Sequence, residues 1–232
     1  MALADRFDVI EQLILSQVSK VEVKEFAEKY THPYRELMAY YRCAMMEVST
    51  KFNVLNEELS LQYDRNPIES IKTRLKSAES ILEKCKRKNI SISPQSIEEN
   101  IYDIAGVRVV CTFPSDIYML ADALLKQDDI KLIAEKDYIK EPKATGYRSL
   151  HLIVEIPIFL HDEKKFMKVE VQFRTISMDW WATLEHKIKY KKDYALTGEI
   201  EEELKKCAEI SAGLDKRMEK IHKSVEKYIS ID

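Results

Sequence analysis

The chain has 232 residues, 45% of them apolar and 33% charged, with 4 glycines and 6 prolines. That profile belongs to a compact, helix-rich domain and excludes a disordered or fibrous chain. A net charge of −3 argues against DNA or other nucleic acid binding over the whole surface, because such domains are strongly basic, while leaving room for local basic patches.

Residues 1–23 carry Val9-Ile10 and Leu13-Ile14-Leu15, interrupted by Asp8, Glu11 and Gln12. This reads as an amphipathic helix over about 5–20 and not as a signal peptide, which needs an unbroken apolar stretch after a basic start. The sequence has no run of about eighteen apolar residues, so no membrane partner is expected and the chain is placed in the cytoplasm. From Tyr34 a long helical pattern begins: Tyr34, Met38, Tyr41, Met45, Val48, Phe52, Leu55 and Leu59 alternate by fours and threes. Asn66-Pro67-Ile68-Glu69 reads as a fresh helix start, and that helix is expected to run to about Lys88 with Ile71, Leu75, Ala78, Leu82 and Cys85 inward.

The period then changes. Val107–Phe113 is β-branched and nearly continuous, as a central strand should be. Ser115 is expected to cap a short helix from Asp116 to Lys126, followed by a strand over 130–139 and a turn over Pro142–Gly146. Tyr147–Pro157 and Phe166–Arg174 read as two further strands joined as a hairpin. After Thr175 the pattern is helical, with Ile176, Trp180, Leu184 and Ile188 in one row. Ile200, Leu204, Cys207, Ser211, Leu214, Met218, Ile221, Val225 and Tyr228 form a second four-three stripe. The class is therefore α+β, a mixed sheet of four to five strands between helical flanks, with residues 1–30 as a helical extension and 31–232 as one domain. Cys43, Cys85, Cys111 and Cys207 are too scattered for a zinc site or disulfide framework.

With glycine only at 106, 146, 198 and 213, no glycine-rich phosphate loop can be written. Phosphates must then meet side chains. Lys76, Ser80, Lys84 and Arg87 recur at steps of four, four and three, with Arg74 at the border of the two helix faces. This is either a solvated basic face or a row of donors with Arg74 stacking on a base. Arg108, isolated among valines, needs an anion or must emerge into a cleft, and Asp103 is a possible ion-pair partner, cap or metal ligand. Tyr147, Ser149 and His151 share one expected strand face, with Tyr147 and His151 roughly 13 Å apart, a span that suits a nucleotide or plain packing alike. On the last strand Met167, Val169, Val171 and Phe173 point one way and Lys168, Glu170, Gln172 and Arg174 the other. The polar row is a solvated face or an active-site floor, in which Glu170 is the candidate general base or metal ligand.

Five segments in this order resemble the synthetase domain of the RelA/SpoT family in its small stand-alone form, closest to the RelP-type branch. They are Thr73–Ser77, Asp103–Arg108, Gly146–His151, Glu170–Thr175 and Trp181–His186. The resemblance covers about residues 35–225, Asn66–Glu69 and Asp137–Ile139 included, and implies a GTP/GDP pyrophosphokinase of the stringent response. Arg74 and Arg108 would sandwich adenine, and Lys76, Ser80, Lys84 and Arg87 would hold the phosphates of ATP. Asp103 and Glu170 would bind Mg²⁺, with Glu170 also accepting the proton of the 3′-hydroxyl. Tyr147 would stack on guanine, Lys143 and His151 would lie near the acceptor phosphates, and Asp179 would meet the guanine edge. Gln172, Arg174, Glu185 and His186 belong to the motifs without an implied role. The resemblance also implies a homotetramer with the long helices at subunit contacts.

Other readings were open at this level. A hydrolase domain does not fit the length, and His161-Asp162 reads as a turn. Nucleotidyl transfer lacks its Gly-Ser element and paired-carboxylate strand. Transfer to the 3′ end of tRNA keeps the chemistry and changes the acceptor, and the two long stripes alone would serve a helical oligomerisation module.

Overall fold

A computed structural model describes residues 20–62, 65–190 and 198–229. The helix expected over 5–20 lies, Lys20 apart, outside them. Helix α1 spans Lys20–Gln62 and runs unbroken past residue 30, with Pro33 inside it. Starting that helix at Tyr34 was too late, because one proline removes a single hydrogen bond and here does not end the helix.

The segment after it is a strand, β1, Ile68–Leu75, and not the first half of a helix. The Asn66 side chain accepts from the amide of Ile68 at 3.0 Å, an Asx turn that imitates a helix cap in sequence. β-Branched Ile68, Ile71 and Thr73 then pair along β2, Ala105–Cys111. The helix proper, α2, is only Ala78–Lys88, capped by Ser77 accepting from the amide of Ser80, with Asn89 left-handed at its end.

A short helix α3, Pro94–Asn100, precedes β2. Helix α4, Pro114–Leu125, begins one turn position before the expected Ser115 cap, with Phe113 as N-cap and proline at the first position. Strands β3 (Lys131–Asp137), β4 (Leu150–Phe159) and β5 (Lys164–Thr175), then helices α5 (Ile176–Tyr190) and α6 (Gly198–Ile229), complete the order. The five strands lie in the order β1-β2-β5-β4-β3. Only β2 and β5 are parallel; the other pairs are antiparallel, which makes the sheet mixed as expected.

The alternation on β5 divides the two faces. Met167, Val169, Val171 and Phe173 are buried with Val107 and Val109 of β2 and Leu152, Val154 and Ile156 of β4. Helix α1 covers this face with Leu37, Tyr41, Met45, Val48 and Phe52. Phe52 meets Phe173 edge-to-face at 5.5 Å between centroids, both fully buried. Phe52→Ala is expected to cost about 3–5 kcal/mol, read as a lowered urea midpoint at unchanged slope. With the apolar face closed by α1, the polar face is left to carry the site.

α6 is tied to the core by a polar node. Arg65 forms a fork with buried Asp116 at 2.7 and 2.8 Å, and donates Nε–H to Nε2 of His222 at 2.9 Å. The His222 ring is stacked on Phe113 at 4.6 Å. The outer stripe of α6 remains in solvent, with Leu214, Met218, Ile221 and Val225 each about half exposed, as are Ile176 and Trp180 of α5. The N-terminal stripe is therefore core, while the C-terminal one packs at Leu204 and Ser211 and is surface from Leu214 to Val225.

Candidate active site

Register places the polar side chains in rows across the sheet. Lys72, Arg108, Gln172, His151 and Lys136 are successive cross-strand partners, and so are Arg74, Gly106 and Glu170 in the next row. A cleft of about 480 Å³ opens over the β1, β2 and β5 part of these rows, lined among others by Arg74, Lys76, Asp103, Arg108, Glu170 and Gln172. Gly106 keeps its floor clear: a Cβ there would stand 3.4 Å from the carbonyl of Arg74 and 4.0 Å from that of Glu170.

At one end, Lys76 and Lys84 grip Asp103 at 2.8 and 2.6 Å. Lys76 precedes the cap of α2, so it shares no helical row with Lys84; the strand-to-helix turn brings the two together. Burial would raise the Asp103 carboxyl, but the two ammonium groups outweigh it and hold the group below its ordinary value. Ser80 accepts from the Ser77 hydroxyl at 3.0 Å in the first turn of α2, and Arg87 is exposed near the helix end. Neither lines the cleft.

At the other end, the loop before β4 folds back. Gly146 adopts φ +88°, Lys143 receives its amide at 2.8 Å, and the chain enters β4 only at Leu150. Tyr147 is thus not a strand residue 13 Å from His151; the turn sets its hydroxyl 2.9 Å from Nε2 of His151. Ser149 is buried and donates to the carbonyl of Phe173, which removes it from the site face. Lys143 holds its ammonium 4.7 and 5.0 Å from the ring centres of Tyr138 and Tyr147. Tyr138 completes an aromatic corner with Tyr147 and His151, both edge-to-face.

The two ends are wired together. Nδ1 of His151 is 3.1 Å from Glu170, whose other oxygen accepts from Gln172 at 2.8 Å. An ionised carboxylate only accepts, so Nδ1 carries the proton. Burial raises the Glu170 carboxyl, but these two partners outweigh it and keep it below the ordinary value, against a nearby Asp103 charge that raises it. Asp179, 8% exposed, accepts from Lys72 at 3.1 Å, Arg108 at 3.0 Å and Arg174 at 3.1 Å. It supplies the anion that isolated Arg108 requires.

Lys72 and Tyr138 were not singled out in the sequence. Lys72 becomes visible once residues 68–75 are read as a strand, because 72 and 74 then share a face. Glu185 lines a separate hollow of about 240 Å³ with Ala144, Glu201 and Lys205, and His186 is exposed; neither lines the cleft.

The acid stability of the fold follows from these shifts. Asp103, Glu170 and Asp179 all have folded values below their unfolded ones. Their contribution is complete above about pH 4–4.5 and is lost as pH falls through the depressed values. The urea midpoint should therefore fall below about pH 4, and the Asp179→Asn protein should lose less over that range than the parent.

The chain that carries this cleft, rimmed by lysines and arginines with two carboxylates inside, is similar along its length to known proteins. The profile described as "Region found in RelA / SpoT proteins" covers residues 73–195. The chain belongs to the RelA/SpoT family. Within that family, the GTP pyrophosphokinase YwaC of Bacillus subtilis (strain 168) is 44% identical over 83% of this chain and 92% of its own. The GTP pyrophosphokinase YjbM of the same organism is 34% identical over 84% and 90%. Small alarmone synthetase 2 from Bacillus subtilis superposes with a TM-score of 0.75 at 42% identity, covering 82% of this chain and 98% of its own. Small alarmone synthetase 1 bound to its product pppGpp gives 0.76 at 34%, covering 83% and 97%. This RelA/SpoT chain is accordingly of the small alarmone synthetase kind, with the mixed sheet and flanking helices of those structures.

Proposed function

We infer that the chain is a GTP pyrophosphokinase, transferring the β,γ-pyrophosphate of ATP to the 3′-hydroxyl of GTP or GDP and releasing AMP. The observation that carries this is the joining of a cationic cleft containing Asp103 and Glu170 to the Tyr147 corner through the His151–Glu170 bridge. A donor and an acceptor nucleotide can therefore meet at one carboxylate. Relatives named for this activity, and a neighbouring structure of a small alarmone synthetase bound to AMPCPP, support the same reading.

On this reading Arg74 and Arg108 flank the adenine, and Lys76 and Lys84 meet the ATP phosphates, with Ser80 in the first turn of α2 and Arg87 near its end. Lys143 and His151 lie on the acceptor's phosphate side, and Tyr147 stacks on guanine. Asp179 faces the guanine edge, where a carboxylate accepts from N1–H and N2–H₂. Of its three cations, Lys72 is the most exposed, at 58%, and is the one the base would replace. Glu170 accepts the proton of the 3′-hydroxyl, and its depressed carboxyl keeps it ionised for that task at neutral pH. The basic rim meets the charge of the moving diphosphate, so positioning and electrostatics supply most of the rate.

The donor set fits Mg²⁺. Two carboxylates face one cleft, and magnesium takes one or two protein carboxylates with the rest from water and phosphate. Asp103 and Glu170 would hold it, and bound there it would neutralise the phosphate oxygens. We further propose the RelP-type branch, a cytoplasmic setting in the stringent response, and a homotetramer. The exposed stripe on α5 and α6 supports self-association, and a solution mass four times 27.2 kDa would establish it. Among the described residues, no helix is long and apolar enough to cross a membrane.

The direct test uses ATP labelled on its γ-phosphate with Mg²⁺ and GTP or GDP. Label is expected in a more highly phosphorylated guanosine, with AMP formed in step. Folded protein that labels neither acceptor would overturn the reading, and label on tRNA instead would reassign the acceptor.

A further inference from the structure

We propose that Arg174 is the positioning residue of the acceptor site: it holds the Tyr147 ring in place through the tyrosine hydroxyl and ties that ring to Asp179. The proposal rests on Tyr147 being the acceptor's stacking platform. Arg174 is 6% exposed, projects from the polar face of β5, and uses both terminal nitrogens on site residues. One donates to the Tyr147 hydroxyl at 2.8 Å and, more weakly, to Oε1 of Gln172 at 3.3 Å. The other donates to Asp179 at 3.1 Å. The guanidinium carbon also lies 5.2 Å from the centre of the Tyr147 ring.

The directions of these bonds are consistent around the circuit. Arg174 can only donate, so the Tyr147 oxygen accepts from it and is free to donate its own hydrogen to Nε2 of His151. His151 in turn donates Nδ1–H to Glu170. Gln172 closes the loop, accepting from Arg174 and donating to Glu170. Nε of Arg174 is buried without a partner among the described residues. Leaving that donor unmet is costly, so the contacts of the two terminal nitrogens decide how the group lies. A planar fork can reach Tyr147 and Asp179 at once, whereas a lysine ammonium is a compact point charge. Tyr147 itself belongs to the loop before β4, and packs against the cluster of Trp181, Ala182 and Ala208. Its hydroxyl end is held by polar contacts instead, to Arg174 and His151.

The test is a double-mutant cycle on the steady-state constants. Arg174→Gln is expected to raise KM for the guanine nucleotide about ten- to a hundred-fold, with kcat and KM for ATP moving less than about three-fold. Tyr147→Phe, which keeps the ring and loses the hydroxyl, is expected to raise the same constant alone, and Arg174→Gln should add clearly less in that background than it does in the parent, its remaining effect being the lost bond to Asp179. Arg174→Lys should recover part of the loss. Independent, multiplying effects would overturn the proposal, as would a fall of all constants together with the melting temperature. If Arg174→Gln does not fold, Tyr147→Phe decides: an unchanged acceptor KM overturns the link. An unchanged acceptor KM in Tyr147→Ala would overturn the platform reading and the proposal with it. A raised KM there, with Tyr147→Phe and Arg174→Gln both silent, would overturn the proposal alone.

Discussion

Glu170→Gln should lower kcat by about 10²–10⁴-fold, because the side chain keeps its shape and loses both its basicity and its charge toward the proposed Mg²⁺. The surroundings sharpen the expectation. The carboxylate accepts from His151 on one oxygen and from the Gln172 amide on the other. An amide in its place can still accept from His151, but then turns its own NH₂ toward the NH₂ of Gln172. Gln172 cannot simply flip, since its oxygen already accepts from Arg174. Some loss of stability, about 1–2 kcal/mol, is therefore expected beside the catalytic loss. Glu170→Asp keeps the charge and withdraws it by one methylene, and should lose less. The comparison is made by label transfer to GTP and GDP, with binding of a non-hydrolysable ATP analogue as the control for folding. Turnover by Glu170→Gln within about three-fold of the parent would remove Glu170 from the role of base.

Gly146→Ala should damage the acceptor side without touching the donor cleft. The residue sits at φ +88°, where a side chain is strained, and a Cβ there would lie 2.6 Å from the Cβ of Ala208 on α6. The backbone term is about 1–3 kcal/mol and overpacking against a helix adds about 1–3 kcal/mol more. Since the loop is held by only a few hydrogen bonds, it should move before the domain unfolds, carrying Tyr147 and Lys143 with it. The expected result is a KM for GTP or GDP raised by at least about ten-fold, and a KM for ATP near that of the parent. Ala208→Gly in the same chain relieves the collision but not the strained φ. It should recover part of the acceptor KM while lowering the melting temperature, because glycine inside a helix costs about 1 kcal/mol. Unaltered constants in Gly146→Ala would show that the loop does not depend on this close approach.

The alternation on residues 166–174 by itself determined the last strand, its buried face and the polar row containing Glu170, because a period of two admits one register once one face is apolar. The four-three runs likewise determined the long helices, and the motifs determined which residues to watch. Where local signals imitate one another, sequence was not enough. Asn66-Pro67 reads as a helix cap, yet pairing with β2 recruits residues 68–75 into the sheet, a long-range hydrogen-bonding choice that no local pattern contains. With that choice Lys72 and Arg74 join the site, and Lys76 leaves the helical row it was assigned to. The separation of Tyr147 and His151 was likewise decided by the turn at Gly146, which converts a distance along a strand into a hydrogen bond. The surface position of the α6 stripe was invisible for a related reason: an amphipathic pattern states that one face is apolar, and only the packing of α1 across the sheet shows which apolar face is already covered. Asp179 is the clearest case. Its type and position were evident, but three cations from β1, β2 and β5 converge on it only because the strand order is β1-β2-β5.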